Sequence, residues 1–177
     1  MSGAMPADAD LLDRAMSPYV GKGAVLLHSI QVALTDDTLT ADGEFRIGES
    51  CYIDDTGHFN AVEFVISYNQ LMYAALAHVV RDDLHPAFAD WSLDDYWSRQ
   101  LPNVFITRLD SRYRRPLNPR AYRGRFTVAD FTYRNRSQPV LGFTSHIEFV
   151  DELGGHAYGD VDIALTDPIG FHSMQED

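Results

Sequence analysis

The stretch Tyr52–Val80, YIDDTGHFNAVEFVISYNQLMYAALAHVV, decides the fold. Its first part, Tyr52 to Asn60, is short and polar and carries a Gly-His pair. Its second part, Ala61 to Val80, is apolar on almost every side. A helix that is hydrophobic all round is buried all round. In a chain of 177 residues the natural wrapping for such a helix is a curved sheet. The polar part then lies at the N-terminus of the buried helix, where unpaired backbone N–H groups and the positive end of the helix dipole gather. Such a position suits a developing oxyanion. Asn60 followed three residues later by Glu63 predicts a capping box, which is compatible with a chemical role for Asn60.

On either side of this stretch the chain reads as the wrapper. Asp8 to Met16 predicts a short helix stopped before Pro18, followed by a Gly-Lys-Gly turn at 21–23. Ala24–Leu34 and Leu39–Ile47 predict a hairpin about the turn Thr35-Asp-Asp-Thr38. The long helix fades near Arg81-Asp-Asp83, before Pro86. A short helix starts at Ser92, with Asp95 at its third position, and ends before Pro102. Four strand-like runs follow, Val104–Arg115, Tyr122–Arg134, Val140–Val150 and His156–Thr166, separated by Pro-, Asn- and Gly-bearing turns. The prediction is one α+β domain over residues 1–177, a hot-dog fold with a curved antiparallel sheet around one helix. Residues 1–7 and 167–177 are expected to be loose tails.

Composition narrows the function. Apolar residues make up 45% and aromatics 12%, which is a globular composition. A net charge of −12 argues against a nucleic-acid binder. Ala61–Val80 contains Glu63, Asn69, Gln70 and His78, which argues for a buried helix and against a membrane span. The single cysteine, Cys51, fits a reducing cytoplasm, and the acidic N-terminus lacks the order of a signal peptide. The basic charge is concentrated. Nine of thirteen arginines lie between Arg108 and Arg136, against Asp110 and Asp130 alone, a local excess of +7 (9 − 2). Arginines alternating on the solvent face of two strands explain this. So does a site for the phosphates of coenzyme A or a phosphopantetheine arm, with Arg112, Arg114 and Arg115 its candidates.

His58 is the leading candidate for chemistry, because imidazole can act as a base at neutral pH. A histidine packing the helix entrance is the plainer reading. The neighbourhood of Tyr52, Asp54, Thr56 and Asn60 favours the chemical one, and Gly57 permits close approach of a substrate. Gly48-Glu-Ser50-Cys51-Tyr52 resembles a nucleophile elbow but lacks the closing glycine. Cys51 reads as packing more readily than as a nucleophile. The remaining histidines have no metal-binding spacing, and there is no Gly-rich phosphate loop. No metal and no cofactor is expected.

TGHFNAVE at 56–63, NQL at 69–71, SPYVGKG at 17–23, WSLDDY at 91–96 and RYRRPLNP at 112–119 resemble the FcoT-like thioesterases, hot-dog enzymes acting on fatty acyl thioesters. The resemblance spans roughly residues 8 to 166. It implies thioester hydrolysis, a homodimer or higher homo-oligomer with active sites between subunits, and no catalytic carboxylate. It carries the family's site onto Tyr19, Tyr52, His58, Asn60 and Asn69; Thr56, Gly57, Phe59 and Asp54 of the same loop are the further substrate-binding candidates. In one subgroup it implies a second activity, addition of glycine to the β-carbon of an α,β-unsaturated acyl thioester before hydrolysis. There the loop matching Tyr52–Asn60 grips the glycine, the histidine matching His58 acts as base, and the acyl group rides on a carrier protein or CoA. Asp54 departs from the pattern. It completes an Asp-x-x-Gly-His-x-Asn sequence like that of the hydroxybenzoyl-CoA type of hot-dog thioesterase, so it reads either as a catalytic carboxylate or as a solvated loop charge. Plain acyl-thioester hydrolysis, enoyl hydration and non-catalytic acyl binding are the alternatives. Neither nucleic acid nor membrane is expected as a partner.

Overall fold

The computed structural model describes residues 8–135 and 138–170. The elements run α1 (Asp8–Val20), β1 (Leu27–Thr35), β2 (Thr38–Phe45), α2 (Ala61–Arg81), a 3₁₀ turn at Pro86–Phe88, α3 (Leu93–Arg99), β3 (Val104–Arg115), β4 (Tyr122–Asn135), β5 (Pro139–Val150) and β6 (His156–Thr166). All six strands form one antiparallel sheet in the order β1-β2-β4-β5-β6-β3. The sheet curves around α2, the hot-dog arrangement. Register shifts at Leu27/Ser29, Ile106/Arg108, Tyr113/Arg115 and Val128/Phe131 mark where its ladders are interrupted, and such bulges bend strands.

Fifteen of the 21 residues of α2 are buried. Most of its polar side chains inside the core are paired, His78 Nε2 being the exception among the described residues. Ser67 Oγ donates to the Glu63 carbonyl and shares a 2.8 Å hydrogen bond with Tyr122 Oη, while Tyr68 Oη meets Ser145 Oγ at 2.7 Å. Leaving such buried groups unpaired costs about 1–3 kcal/mol each, so these bonds set the depth of the helix on the sheet. The sheet also comes close. Gly43 and Gly124 face each other across β2 and β4, and a Cβ on either would run into the rings and methyls of Phe45, Leu27, Leu71 or Phe149. The space is taken by an aromatic cluster of Phe45, Phe59, Phe64, Tyr122 and Phe149, with ring centroids 5.1 to 6.2 Å apart. This cluster lies under the start of α2 and gives it a rigid floor.

Several predicted boundaries shift. α1 continues through Pro18 to Val20. A proline in the final turn removes one hydrogen bond only, and Leu11, Ala15 and Met16 anchor the helix to the core. β1 begins at Leu27, later than the predicted Ala24. The reason is Gln70, fully buried on α2, which accepts from Leu26 N and Leu27 N, both at 2.9 Å, and donates to Ala24 O at 2.6 Å. That one side chain stands in for a strand partner. Residues 167–170 are tied down, contrary to the loose tail expected. Asp167 pairs with Arg99, and Ile169 O accepts from the Tyr133 hydroxyl. The rest of that expectation, residues 1–7 and 171–177, lies outside the described residues. The hairpin turn forms as predicted, with Asp36 and Asp37 both left-handed at φ 47° and 61°.

Candidate active site

The loop from Arg46 to Asn60 has no helix or strand, yet its last residues are closely bonded to one another. Gly57 has φ 75°, a left-handed conformation that favours glycine. The turn it allows folds His58 back on Thr56. His58 Nδ1 lies 3.0 Å from Thr56 O, and Thr56 Oγ1 donates to His58 O at 2.9 Å. Asn60 caps α2 as predicted. Its Oδ1 accepts from Val62 N at 2.9 Å and Glu63 N at 3.3 Å, and Glu63 Oε2 accepts from Asn60 N at 3.0 Å. Tyr52 adds a third donor to the same oxygen, its hydroxyl 2.7 Å from Asn60 Oδ1. Burial lifts the Glu63 carboxyl above its ordinary value, against the N–H bond from Asn60.

His58, Phe59, Asn60 and Ala61 form one side of a cleft of about 590 Å³, with Tyr113 to Leu117 forming the other. The donors available in it are fewer than the sequence suggested. Val62 and Glu63 N–H serve the Asn60 side chain, and Phe64 N–H serves the Asn60 carbonyl. Gly57 N–H goes to Asp55, and the Tyr52 and Thr56 hydroxyls are committed inside the loop. At the helix start, Ala61 N–H and the Asn60 amide nitrogen have no partner among the described residues, while the Asn60 oxygen is fully engaged.

The other predicted positions are not gathered here within one chain. Asn69 shares a half-open stripe of α2 with Val62, Val65 and Ile66, but lies roughly 13 Å farther along the axis than Asn60 at 1.5 Å per residue. Tyr19, on α1, sits near Tyr73 and Tyr96, and burial pushes its hydroxyl well above the ordinary tyrosine value. Asp54 is exposed and makes no hydrogen bond or ion pair to the described residues, whereas its neighbour Asp55 does. Phe59 is buried in the aromatic floor. Arg114 and Arg115 line the cleft and an adjoining hollow that includes His156. Arg112 is paired with Asp110 at 2.6 Å, and Arg114 lies over the Tyr158 ring and donates to its hydroxyl. Tyr113, Asp55 and Arg120 are parts of the site region that sequence reading did not single out. Tyr113 and Arg120 fall within the Arg-rich run at 108–136, and Asp55 within the Tyr52–Asn60 loop.

Among the described residues no helix is long and apolar enough to cross a membrane. The fold is shared with solved structures of low sequence similarity. A dehydratase heterocomplex from Xenorhabdus doucetiae matches with a TM-score of 0.54 at 9% identity, covering 94% of this chain and 97% of that one. A Lactococcus lactis protein described as a thioesterase matches at 0.51 and 11% identity, covering 81% and 94%. Closer in sequence are proteins named (2E)-enoyl-ACP glycyltransferase. Those of Mycobacterium tuberculosis and Mycobacterium marinum are each 41% identical, over 92% and 88% of this chain and 89% and 84% of theirs. That of Streptomyces coeruleorubidus is 38% identical over 90% of this chain and 97% of its own. The profile of the FcoT-like thioesterase domain matches residues 14–165. With the curved sheet, the buried helix and the His58 loop at its capped end, these matches assign the chain: it belongs to the FcoT-like thioesterase domain family.

Proposed function

We propose that this protein adds glycine to the β-carbon of an α,β-unsaturated fatty acyl thioester and then hydrolyses the thioester, releasing an N-carboxymethyl-3-amino acid. The observation that carries this reading is the cleft itself, where a base with a free lone pair, His58, lies beside two uncommitted donors, Asn60 amide and Ala61 N–H. The shared name of relatives at 38–41% identity supports the acyl-carrier substrate and the glycine. In the addition, the glycine nitrogen bonds to the β-carbon and the double-bond electrons move onto the thioester oxygen. His58 takes the proton lost from nitrogen and returns it at the α-carbon. The two donors hold the enolate. In the hydrolysis, a water deprotonated by His58 attacks the carbonyl, the same donors hold the tetrahedral oxyanion, and the thiol leaves with the proton. No metal and no cofactor takes part in this scheme, and a reducing cytoplasm is its proposed setting.

A second copy of the chain completes the site in this reading. β3 is an edge strand exposed along most of its length, with Phe105, Ile106, Leu109 and Tyr113 among its exposed residues, and Val62 of α2 is exposed as well. A long exposed edge strand with apolar side chains set among its charges calls for a partner. In this reading Asn69 and Tyr19, the positions that the resemblance adds to the site, are supplied to the His58 cleft by the other subunit. Mixing an inactive His58→Ala protein with an inactive Asn69→Ala protein should restore part of the activity if subunits exchange and the site is shared. Absence of any recovery after confirmed exchange would make each site the property of one chain.

The reaction is tested by incubating the protein with an enoyl thioester, with and without glycine, and weighing the products. An N-carboxymethyl-3-amino acid that requires both enzyme and glycine supports the proposal. Free enoic acid alone would leave a plain thioesterase, a 3-hydroxyacyl product a hydratase, and tight binding without turnover an acyl binder.

A further inference from the structure

The fifteen-residue loop that ends in Asn60 has no regular structure, and it must still hold an imidazole against a cleft. Arg120, in the turn between β3 and β4, fastens it. One guanidinium nitrogen donates to Ile47 O at 2.8 Å and to Gly48 O, where the loop leaves β2. The other donates to Asp55 Oδ2. The second oxygen of that carboxylate, Asp55 Oδ1, accepts the N–H of Gly57 at 3.0 Å. One arginine thus grips the loop at its start and, through Asp55, at the residue before His58. A planar fork with several fixed N–H donors suits this task better than the point charge of a lysine.

The turn carrying Arg120 is itself anchored. Ile47 N donates to Pro119 O at 2.8 Å and Phe59 N to Leu117 O at 3.1 Å, so the loop is stitched to the turn at both ends. Leu117 is buried in the core. Asn118 N donates to Asp151 Oδ2 at 2.6 Å, and Asp151 also accepts from Leu153 N and Gly155 N in the turn between β5 and β6. A continuous path of contacts therefore leads from the sheet through Asn118 and Arg120 to Asp55, Gly57 and His58. An exposed ion pair contributes little to stability by itself; the consequence here is geometric.

We infer that Arg120 and Asp55 are positioning residues that fix the His58 loop over the cleft, acting through the Gly57 N–H and without touching the substrate. The kinetic part of the test rests on the thioester chemistry proposed above; the spectroscopic part does not. Arg120→Ala is expected to lower kcat for a short acyl thioester about 10²-fold, the effect of a shift of about 1 Å at a reacting group, while KM stays within about threefold. Asp55→Ala should behave alike, and the double variant should be no slower than either single one, because the two act as a unit. Arg120→Lys should fail to rescue. Backbone order parameters at Gly57 and His58 should drop from the rigid value of about 0.85 to below about 0.6, with Leu71 and Ile147 unchanged. Should Arg120→Ala not fold, Asp55→Asn, at an exposed position, carries the same measurements. Unchanged order parameters at Gly57 and His58, additive losses in the double variant, or a loss confined to KM would each overturn the inference. A wild-type protein that turns over no thioester would sink the reaction proposed above and leave the order parameters to decide the pair.

Discussion

The Nδ1 atom of His58 lies 3.0 Å from the carbonyl oxygen of Thr56. A carbonyl oxygen only accepts, so Nδ1 carries the ring proton and Nε2 keeps its lone pair in the neutral imidazole. This is the tautomer a general base needs. The backbone of the loop, turned back by Gly57, selects it without help from a carboxylate.

Replacing His58 by Ala should therefore abolish both steps while leaving the fold intact, since the side chain is exposed and outside the core. Loss of a general base lowers rates about 10²–10⁴-fold. Steady-state kinetics for addition and hydrolysis, with a thermal melt as control, check this. Turnover within a few-fold of wild type would make His58 structural.

Asp54→Asn should be mild, within about threefold in kcat/KM, a factor worth less than 1 kcal/mol. Its carboxylate is exposed and makes no hydrogen bond or ion pair to the described residues, and the acid that engages the loop is the next residue, Asp55. A loss as large as that of His58→Ala would restore the carboxylate mechanism that the Asp-x-x-Gly-His-x-Asn sequence suggests.

How much of this could be read from the sequence depends on how local the signal is. The all-round apolar character of Ala61–Val80 announced a wrapped helix. The Asn60/Glu63 and Ser92/Asp95 spacings announced two caps, and both form. The four C-terminal strands fall where alternation and turn residues put them. The features that were missed join distant residues. Asp55 and Arg120 are 65 positions apart, and Gln70 reaches back to Ala24 and Leu27. No periodicity encodes such pairs. Nor does a list of hydroxyls in a loop reveal which protons are already engaged. Tyr52, Thr56 and Gly57 lie in the loop expected to grip the glycine, and all three donate within the loop.

Among the arginines named for the phosphopantetheine arm, Arg115→Ala should raise KM most for a carrier- or CoA-bound substrate relative to a short thioester. Arg112 is held by Asp110, and Arg114 by Tyr158, whereas Arg115 lines the cleft with no hydrogen bond or ion pair to the described residues. A charge-assisted bond to phosphate is worth about 1.5–3 kcal/mol, so roughly a tenfold rise is expected. Equal effects on both substrates would leave Arg115 an ordinary strand-end charge.

Glu63 gives a pH-dependent test of the helix start. Burial raises its carboxyl pKa in the folded protein, so the native state holds that proton more tightly than the unfolded chain. Its contribution to stability is full below the unfolded value, about 4.3, and is lost as pH rises through the folded one. Glu63→Gln keeps an acceptor for Asn60 N–H and removes the ionisation. It should raise Tm near pH 7, with the gain fading toward pH 4. A shift that is the same at every pH would mean that burial of the charge is not what the substitution relieves.

Tyr52→Phe separates the two steps. The tyrosine hydroxyl donates to Asn60 Oδ1 at 2.7 Å, an oxygen that already accepts two backbone N–H groups. Its proton is therefore engaged, and what it offers a glycine held by the loop is a lone pair. A lone pair suits the N–H of an incoming amine and repels a carboxylate. Removing the hydroxyl leaves the cap of α2 in place, so the two donors assigned to the oxyanion, Asn60 amide and Ala61 N–H, keep their positions. Hydrolysis of a saturated thioester, which needs no amine, should then slow by less than about threefold. The KM for glycine in the addition should rise about tenfold, the loss of one neutral hydrogen bond of about 1 kcal/mol together with poorer aim of the amine. Glycine titrations against an enoyl thioester, set beside hydrolysis of its saturated analogue, measure both. If the two rates fall together, Tyr52 serves the helix cap and the glycine is held elsewhere in the cleft.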